Sequence, residues 1–335
     1  MSEYTVRPWQ EGDELQLMQI WPDAESVHAA AFRTGLAPDA DSPWRRSIVA
    51  EHEGIPVAAA TVYETSLHDQ RLWAYVEVAP DHRRRGLGRH LLEQLRKAAQ
   101  SSPSGVRMLR SKVLRGSAGA EFAHGVGMES IQRSRMVRIE AGALPTQPLR
   151  EAVEGTPDQA VEDLATGSIE LTQALWDFYV AVHQWDPPAE QSLGRVNRLF
   201  LSDQAEAFGA IVLRDGLVQA HQEGRHAPIA AFAVSYKPLD PDQPEREVSP
   251  EEPTEVLIGY DVNQPKVRED LLQLISLLVN QYPIIIEVDD AMTALAEIVD
   301  GLIRHGTAEV EEQTVIFADP QEGDSSGSKK PSASR

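Results

Sequence analysis

Between Leu72 and Ala98 the apolar pattern changes its period once. In "LWAYVEVAP" (Leu72 to Pro80) β-branched and aromatic residues dominate. Alternation puts Val76 and Val78 on one face, Tyr75 and Glu77 on the other. Pro80 cannot donate to a sheet ladder and holds Ala79 extended, so a strand ends there. From Leu87 onward, Leu87, Leu91, Leu92, Leu95 and Ala98 fall on one face of a helix. The turn between strand and helix carries Arg83, Arg84, Arg85, Gly86 and Gly88.

The same reading predicts two similar halves. "SIVAEHEGIPVAAATVY" (Ser47 to Tyr63) reads as a hairpin turning at Glu53-Gly54-Ile55. "LVQAHQEGRHAPIAAFAVSY" (Leu217 to Tyr236) reads the same way, and Pro228-Ile229-Ala230-Ala231 matches Pro56-Val57-Ala58-Ala59. After its hairpin the first half continues with the strand ending at Val78, the Leu91/Leu92 helix, a strand near Val106 to Val113, a helix ending near Gly127 and the strand "RMVRIE". The second half follows with "EVLIGYDV", the Leu271/Leu272 helix, "IIIEV", a helix ending near Gly306, and "TVIFA". Duplication and divergence account for this shared order. The predicted organisation is a domain over residues 1–140, a polar, proline-bearing linker over 141–168, a second domain over 169–319, and a disordered tail over 320–335. "KPLDPDQPEREVSPEEPTE" is predicted to be a mobile loop inside the second half.

The chain has 335 residues, a formal net charge of -21 and no cysteine. Its length suffices for two domains with real cores. Disulfides, thiolate catalysis and cysteine-held metal are excluded. No apolar run is long enough to span a bilayer and no export signal is visible, so the expected location is the cytoplasm, with no membrane partner. So acidic a chain repels polyanions, which argues against a nucleic-acid partner. The same charge could favour a cationic acceptor, although it also serves solubility.

In such a chain, arginines at a helix N-terminus oppose the helix dipole and call for an anion. Gly86 and Gly88 let the backbone bend and approach a ligand closely. Inward-pointing N–H groups with arginines beside them suit a pyrophosphate; a solvated basic turn is the alternative. The motif is neither a dinucleotide fingerprint, lacking the third glycine, nor a P-loop, lacking Gly-Lys-Ser/Thr.

"VEVAPDHRRRGLGRHLL" resembles the acyl-CoA-binding motif of the GNAT acetyltransferase superfamily: a strand, a proline, then Arg/Gln-x-x-Gly-x-Gly/Ala opening a helix, here Arg83-Arg84-Arg85-Gly86-Leu87-Gly88. A helical stretch from Glu11 to Phe32, the strand set, and the late helix "FAHGVGM" follow in that family's order. The resemblance covers about residues 3–140, and the second half in element order alone. The layout is similar to that of tandem GNAT proteins. It implies an α/β (α+β) fold of two tandem GNAT-like domains, each a mixed, mostly antiparallel sheet flanked by helices. The implied cosubstrate is acetyl-CoA, with no metal. Val76 and Val78 would offer main-chain groups to the pantetheine arm. The backbone around Arg84, Arg85, Gly86, Leu87, Gly88 and Arg89 would hold the pyrophosphate, with Arg83 in the family's Arg/Gln position. The second half departs from this: Val262 to Leu271 is about four residues shorter than Val78 to Leu91, and "NQPKVRED" has no glycine. No CoA is expected there.

Amine acetylation needs a base for the amine and a proton for the leaving thiolate. Many members of that family use a tyrosine in the last helix as donor; here Ala123 takes its position, and His124 lies about 100° around the helix. Glu77 is the candidate base; its competing reading is a structural carboxylate paired with a basic neighbour. Tyr75, Glu64 and His82 are alternatives, and Tyr63 and Trp73 read as core or cleft lining. No His/Asp/Glu spacing suggests a metal site; His221 and His226 merely flank a turn. Two readings follow. One is an acetyl-CoA-dependent N-acetyltransferase acting on a small-molecule or peptide primary amine, as a monomer or homodimer. The other is a non-catalytic acyl-CoA-binding or partner-docking protein on the same fold.

Overall fold

The computed structural model of the chain describes residues 3–24, 27–237 and 252–320. Most of the predicted mobile loop and the predicted tail from 321 onward lie outside the described residues. The chain divides into two compact units. Unit 1 comprises residues 1–131 and 314–335, and unit 2 comprises residues 132–313. Each is a mixed, mostly antiparallel sheet flanked by helices.

In unit 1 the strands Tyr4–Pro8, Trp44–His52, Ile55–Tyr63 and Leu72–Val78 pair antiparallel in that order. Leu109–Leu114 joins parallel to the last of them, and residues 314–318 close the edge antiparallel to it. Glu53 (φ 53°) and Gly54 (φ 81°) make the tight turn of the first hairpin, as the Glu-Gly pair predicts. The helix Leu87–Ala99 buries Leu87, Leu91, Leu92, Leu95 and Ala99 on the sheet, the face that its periodicity marks. The predicted helical stretch from Glu11 to Phe32 is two short helices, Asp13–Met18 and Val27–Arg33. Pro22 lies between them, and a proline disfavours helical geometry in the residue before it.

Asp13, almost fully buried, ties the first helix to the edge strand. Arg7 donates to both its oxygens at 2.7 and 2.8 Å, and the Gln10 N–H donates at 2.7 Å. Burial alone would push this carboxyl up, but the Arg7 and Gln10 hydrogen bonds outweigh burial and hold it below the ordinary range. The stabilisation is therefore present above the unfolded carboxyl's value and fades as pH falls through the lower folded one. Asp13→Ala should cost about 3 kcal/mol, the low end for breaking a buried pair, because Arg7 keeps some exposure. The midpoint of denaturant unfolding measures it, and an unchanged midpoint contradicts the assignment.

Unit 2 repeats the plan. Gln159–Asp163, Ala207–Asp215, Ile229–Tyr236 and Thr254–Tyr260 pair antiparallel in order. Ile284–Asp289 joins parallel, and residues 134–139 pair antiparallel with it. Three readings from sequence are corrected here. Leu217–Gln222 is a helix, entered through Gly216 at φ 75°; the strand paired with Ile229–Tyr236 is the upstream Ala207–Asp215. The stretch read as a linker contains strands Glu151–Val153, Thr156–Pro157 and Gln159–Asp163. Finally, "RMVRIE" belongs to unit 2 and "TVIFA" to unit 1, because each completes the open edge of the other half's sheet.

The bulges refine the internal match. In the first hairpin the skipped residue is Val57, and in the second it is Ala230. Structural equivalents therefore sit one residue off the Pro-x-Ala-Ala alignment. The pair Phe232↔Gly259 takes the place of Ala59↔Glu77. A Cβ on Gly259 would lie 2.1 Å from the Phe232 ring, so an aromatic side chain covers the position where unit 1 carries a carboxylate. Among the described residues no helix is long and apolar enough to cross a membrane.

Candidate functional site

The motif strand Leu72–Val78 and its parallel neighbour Leu109–Leu114 pair only at Leu72↔Leu109 and Trp73↔Arg110. Beyond that point they diverge. Arg110, fully buried, stacks its guanidinium 4.1 Å from the Trp73 ring at the point of divergence. Residues 74–78 of one strand and 111–114 of the other line opposite sides of a cavity of about 450 Å³. That volume lies within the range of small-molecule sites. The main-chain groups of the motif strand alternate in direction. The Ala79 N–H bonds the Val57 carbonyl, so Val76 and Val78 turn theirs toward the divergent side. There the Val78 carbonyl accepts from Arg83 Nε at 2.9 Å.

The arginine turn borders the same cavity. Arg84 has φ 61° and Gly86 φ 82°, two left-handed residues flanking Arg85. This geometry curves the chain so that successive N–H groups converge, the shape of an anion nest. A left-handed arginine stores about 1–2 kcal/mol, a cost that suits a functional turn. Gly86 caps the helix with no side-chain bond, and the first helical N–H bond runs from His90 to its carbonyl. The N–H groups of Leu87, Gly88 and Arg89 precede that bond and are the helix's open donors. The two glycines differ in role. A Cβ on Gly86 would meet nothing within 4 Å, whereas one on Gly88 would lie 3.3 Å from Phe122. Gly86 supplies a backbone angle and open space; Gly88 lets the helix approach Phe122. Arg83, Arg84 and Arg85 are exposed, with Arg84 3.8 Å from Glu121, and Arg89 donates to the Gly125 carbonyl at 2.7 Å.

Glu77 lies at the cavity wall and is held on three sides. Arg33 Nε and Nη2 donate to its two oxygens at 2.8 and 2.6 Å, and the Tyr75 hydroxyl donates at 2.6 Å. Arg33 also donates to the Pro22 carbonyl at 2.8 Å and lies over the Trp21 ring. Burial, and then the Glu77 carboxylate, push the Tyr75 phenol far up, so it stays protonated. The chain thus joins Glu77 to a partner 44 residues upstream that no local pattern announces; an arginine ending a helix is the only trace of it in the sequence.

Of the alternatives, Ala123 is buried and lines the cavity. His124 is exposed and packs edge-on against Phe317, 4.7 Å between centroids. Glu64 accepts from the Ser102 hydroxyl at 2.6 Å, away from the cavity lining; burial raises its carboxyl, and the Ser102 and Ser104 bonds bring it below the ordinary range. Trp73 packs on Phe32 and Arg110, and Tyr63 against Gly35. His82 lines the cavity next to the arginine turn. Among the described residues no group of three or more His, Asp or Glu side chains is placed to hold a metal ion.

Residues 43–122, within unit 1, match the family model of the acetyltransferase (GNAT) domain. Solved structures match the fold over nearly the whole chain. A GCN5-related N-acetyltransferase from Sphaerobacter thermophilus is 13% identical, with 95% of this chain and 96% of that one covered and a TM-score of 0.57. A probable N-acyltransferase from Enterococcus faecalis V583 is 8% identical, covering 94% and 72%, with a TM-score of 0.53. A tandem GNAT protein from the clavulanic acid biosynthesis pathway is 14% identical, covering 94% and 98%, with a TM-score of 0.52. A search of curated proteins finds no match. The fold is thus that of GNAT acetyltransferases. Residues 43–122 carry the GNAT domain match, and the whole chain shares the tandem layout of the third structure's fold.

Proposed function

We propose that unit 1 is an acetyl-CoA-dependent N-acetyltransferase acting on a primary amine, and that unit 2 binds no CoA. The observation that carries this reading is the convergence, in one cavity, of a diverging motif strand and the arginine–glycine turn. The donor set suits the cosubstrate. Arg84, Arg85, Gly86, Leu87, Gly88 and Arg89 would hold the pyrophosphate with backbone N–H groups and guanidinium charge. Val76 and Val78 would pair with the amide-bearing arm as a neighbouring strand would, and Arg83 would hold the bend between them. The space beside Gly86 leaves room for the phosphates.

In the reaction the neutral amine attacks the thioester carbonyl, the C–S bond breaks, and the thiolate takes a proton. Glu77 is the proposed base. A carboxylate offers about four acceptor positions, and Arg33 and Tyr75 fill three of them. The remaining one can collect the amine proton directly or through a water. Ala123 offers no proton, so the thiolate would be protonated by solvent or by the acceptor. The same alanine favours the second reading, an acyl-CoA-binding or partner-docking protein without turnover. A thiol-release assay with acetyl-CoA against a panel of primary amines, including peptide N-termini, separates the two. The enzyme reading expects amine-dependent thiol release. CoA binding with no turnover on any amine favours the second.

A further inference from the structure

Behind the arginine turn lies a pair of histidines that the proposed reaction leaves unused. His82 stands on the 3₁₀ turn Pro80–His82, directly before Arg83, and borders the cavity. Its Nδ1 shares a hydrogen bond with the Tyr4 hydroxyl at 3.1 Å. Its ring lies 5.1 Å from that of His52 and 5.8 Å from that of Tyr4. Tyr4 comes from the edge strand and His52 from the next, so the turn that presents the arginines is pinned to the sheet through this imidazole. His52 in turn lies 3.6 Å from Glu3. The charged groups that act on His82 are His52 from the second strand, Glu3 beside the first, and Asp81 and Arg85 from its own turn.

We propose that His82 is a positioning residue of the arginine turn, and that binding of an anionic cosubstrate there draws a proton onto it. This inference rests on the CoA-binding reading above. Its physical basis is that a bound anion would attract the charged imidazole where neighbouring positive groups oppose it. Burial first, then His52 and Arg85, hold the free imidazole below its ordinary range, while Asp81 and Glu3 act weakly in the other direction. A phosphate group against Arg83–Gly86 would replace that repulsion with attraction to the charged form. The Tyr4 hydroxyl suits both states, because it can donate to a neutral Nδ1 or accept from a protonated one.

The sign follows from linkage. Proton uptake on binding means that affinity rises as pH falls through the interval between the free and bound values of His82. A phosphomonoester on CoA itself titrates near pH 6 and works in the opposite sense, so the comparison must be between variants. The test is calorimetry of CoA binding to the full chain at pH 6.5, in two buffers of different ionisation enthalpy, for the wild type and for His82→Gln. The expected result is a proton uptake larger in the wild type by roughly half a proton, with the pH 6-to-8 affinity ratio of the wild type exceeding the variant's by about threefold to tenfold, the effect of half to one pKa unit. Equal proton counts with intact binding overturn the inference and leave the CoA reading standing. A chain that binds no CoA at all overturns both. If His82→Gln does not fold, the imidazole signals of the wild type decide. His82 should titrate at higher pH in the CoA-saturated chain than in the free one, and an unmoved titration contradicts the proposal.

Discussion

Gly86→Glu should weaken acetyl-CoA binding at least about 100-fold, close to 2.8 kcal/mol, while the chain still folds. Two effects add at this position. The backbone there has φ 82°, which costs a side-chain-bearing residue about 1–2 kcal/mol. The open space beside it would receive a carboxylate where the proposed pyrophosphate lies, replacing attraction with like-charge repulsion. Beyond its own chain neighbours, nothing lies within 4 Å of the added Cβ, so the substitution meets no packed side chain and the stability loss stays near the strain cost. Gly86→Ala serves as the control: it carries the strain without the charge and should weaken binding much less. Equal losses for the two variants would assign the effect to backbone distortion alone. The KM for acetyl-CoA and far-ultraviolet circular dichroism, measured on both, supply the comparison.

Glu77→Gln should lower turnover by roughly 10² or more, the usual scale for lost acid–base assistance. CoA affinity should barely change, because the proposed cofactor contacts are backbone groups and arginines elsewhere. The loss should shrink at high pH, where free amine is abundant. The Arg33 pair adds a second readout. Glutamine leaves Arg33 opposite a neutral amide, and an NH₂ turned toward the guanidinium would oppose two donors. A purely structural role would therefore appear as a lower melting temperature and an activity loss that is the same at every pH. Arg33→Met gives the converse: it releases two of the three donors on Glu77 and also frees Pro22 and Trp21 from their anchor. A pH-independent loss in Glu77→Gln, matched by Arg33→Met, would move Glu77 from base to positioning residue.

Local patterns carried much of this architecture. Glu53-Gly54 announces its turn because that geometry requires left-handed residues at adjacent positions. The motif strand and helix are legible because Pro80 breaks one period and Leu87 begins another. What escaped was non-local. The strand Gln159–Asp163 is short and polar enough to resemble linker, yet it plays the part in unit 2 that Tyr4–Pro8 plays in unit 1. Carrying the duplication upstream of the second hairpin would have pointed to it. The helix Leu217–Gln222 was hidden by an apolar run that fits either period over so few residues. The placement of residues 134–139 and 314–318 depends on which sheet edge is open, which no window of sequence reports. At the site, the arginines and glycines were visible as a cluster, whereas Arg33, Tyr4 and His52 reach Glu77 and His82 only through the fold. The second half's lost carboxylate was half visible. The missing glycines in "NQPKVRED" signal the absent turn, but Gly259 beneath Phe232 depends on a bulge offset by one residue.

The chain is expected to bind one acetyl-CoA, in the cavity of unit 1. Isothermal titration of CoA into the full-length protein tests it most directly. One site per chain is expected, abolished by Gly86→Glu. Two equivalent sites, or one site that survives Gly86→Glu with its affinity intact, would contradict it.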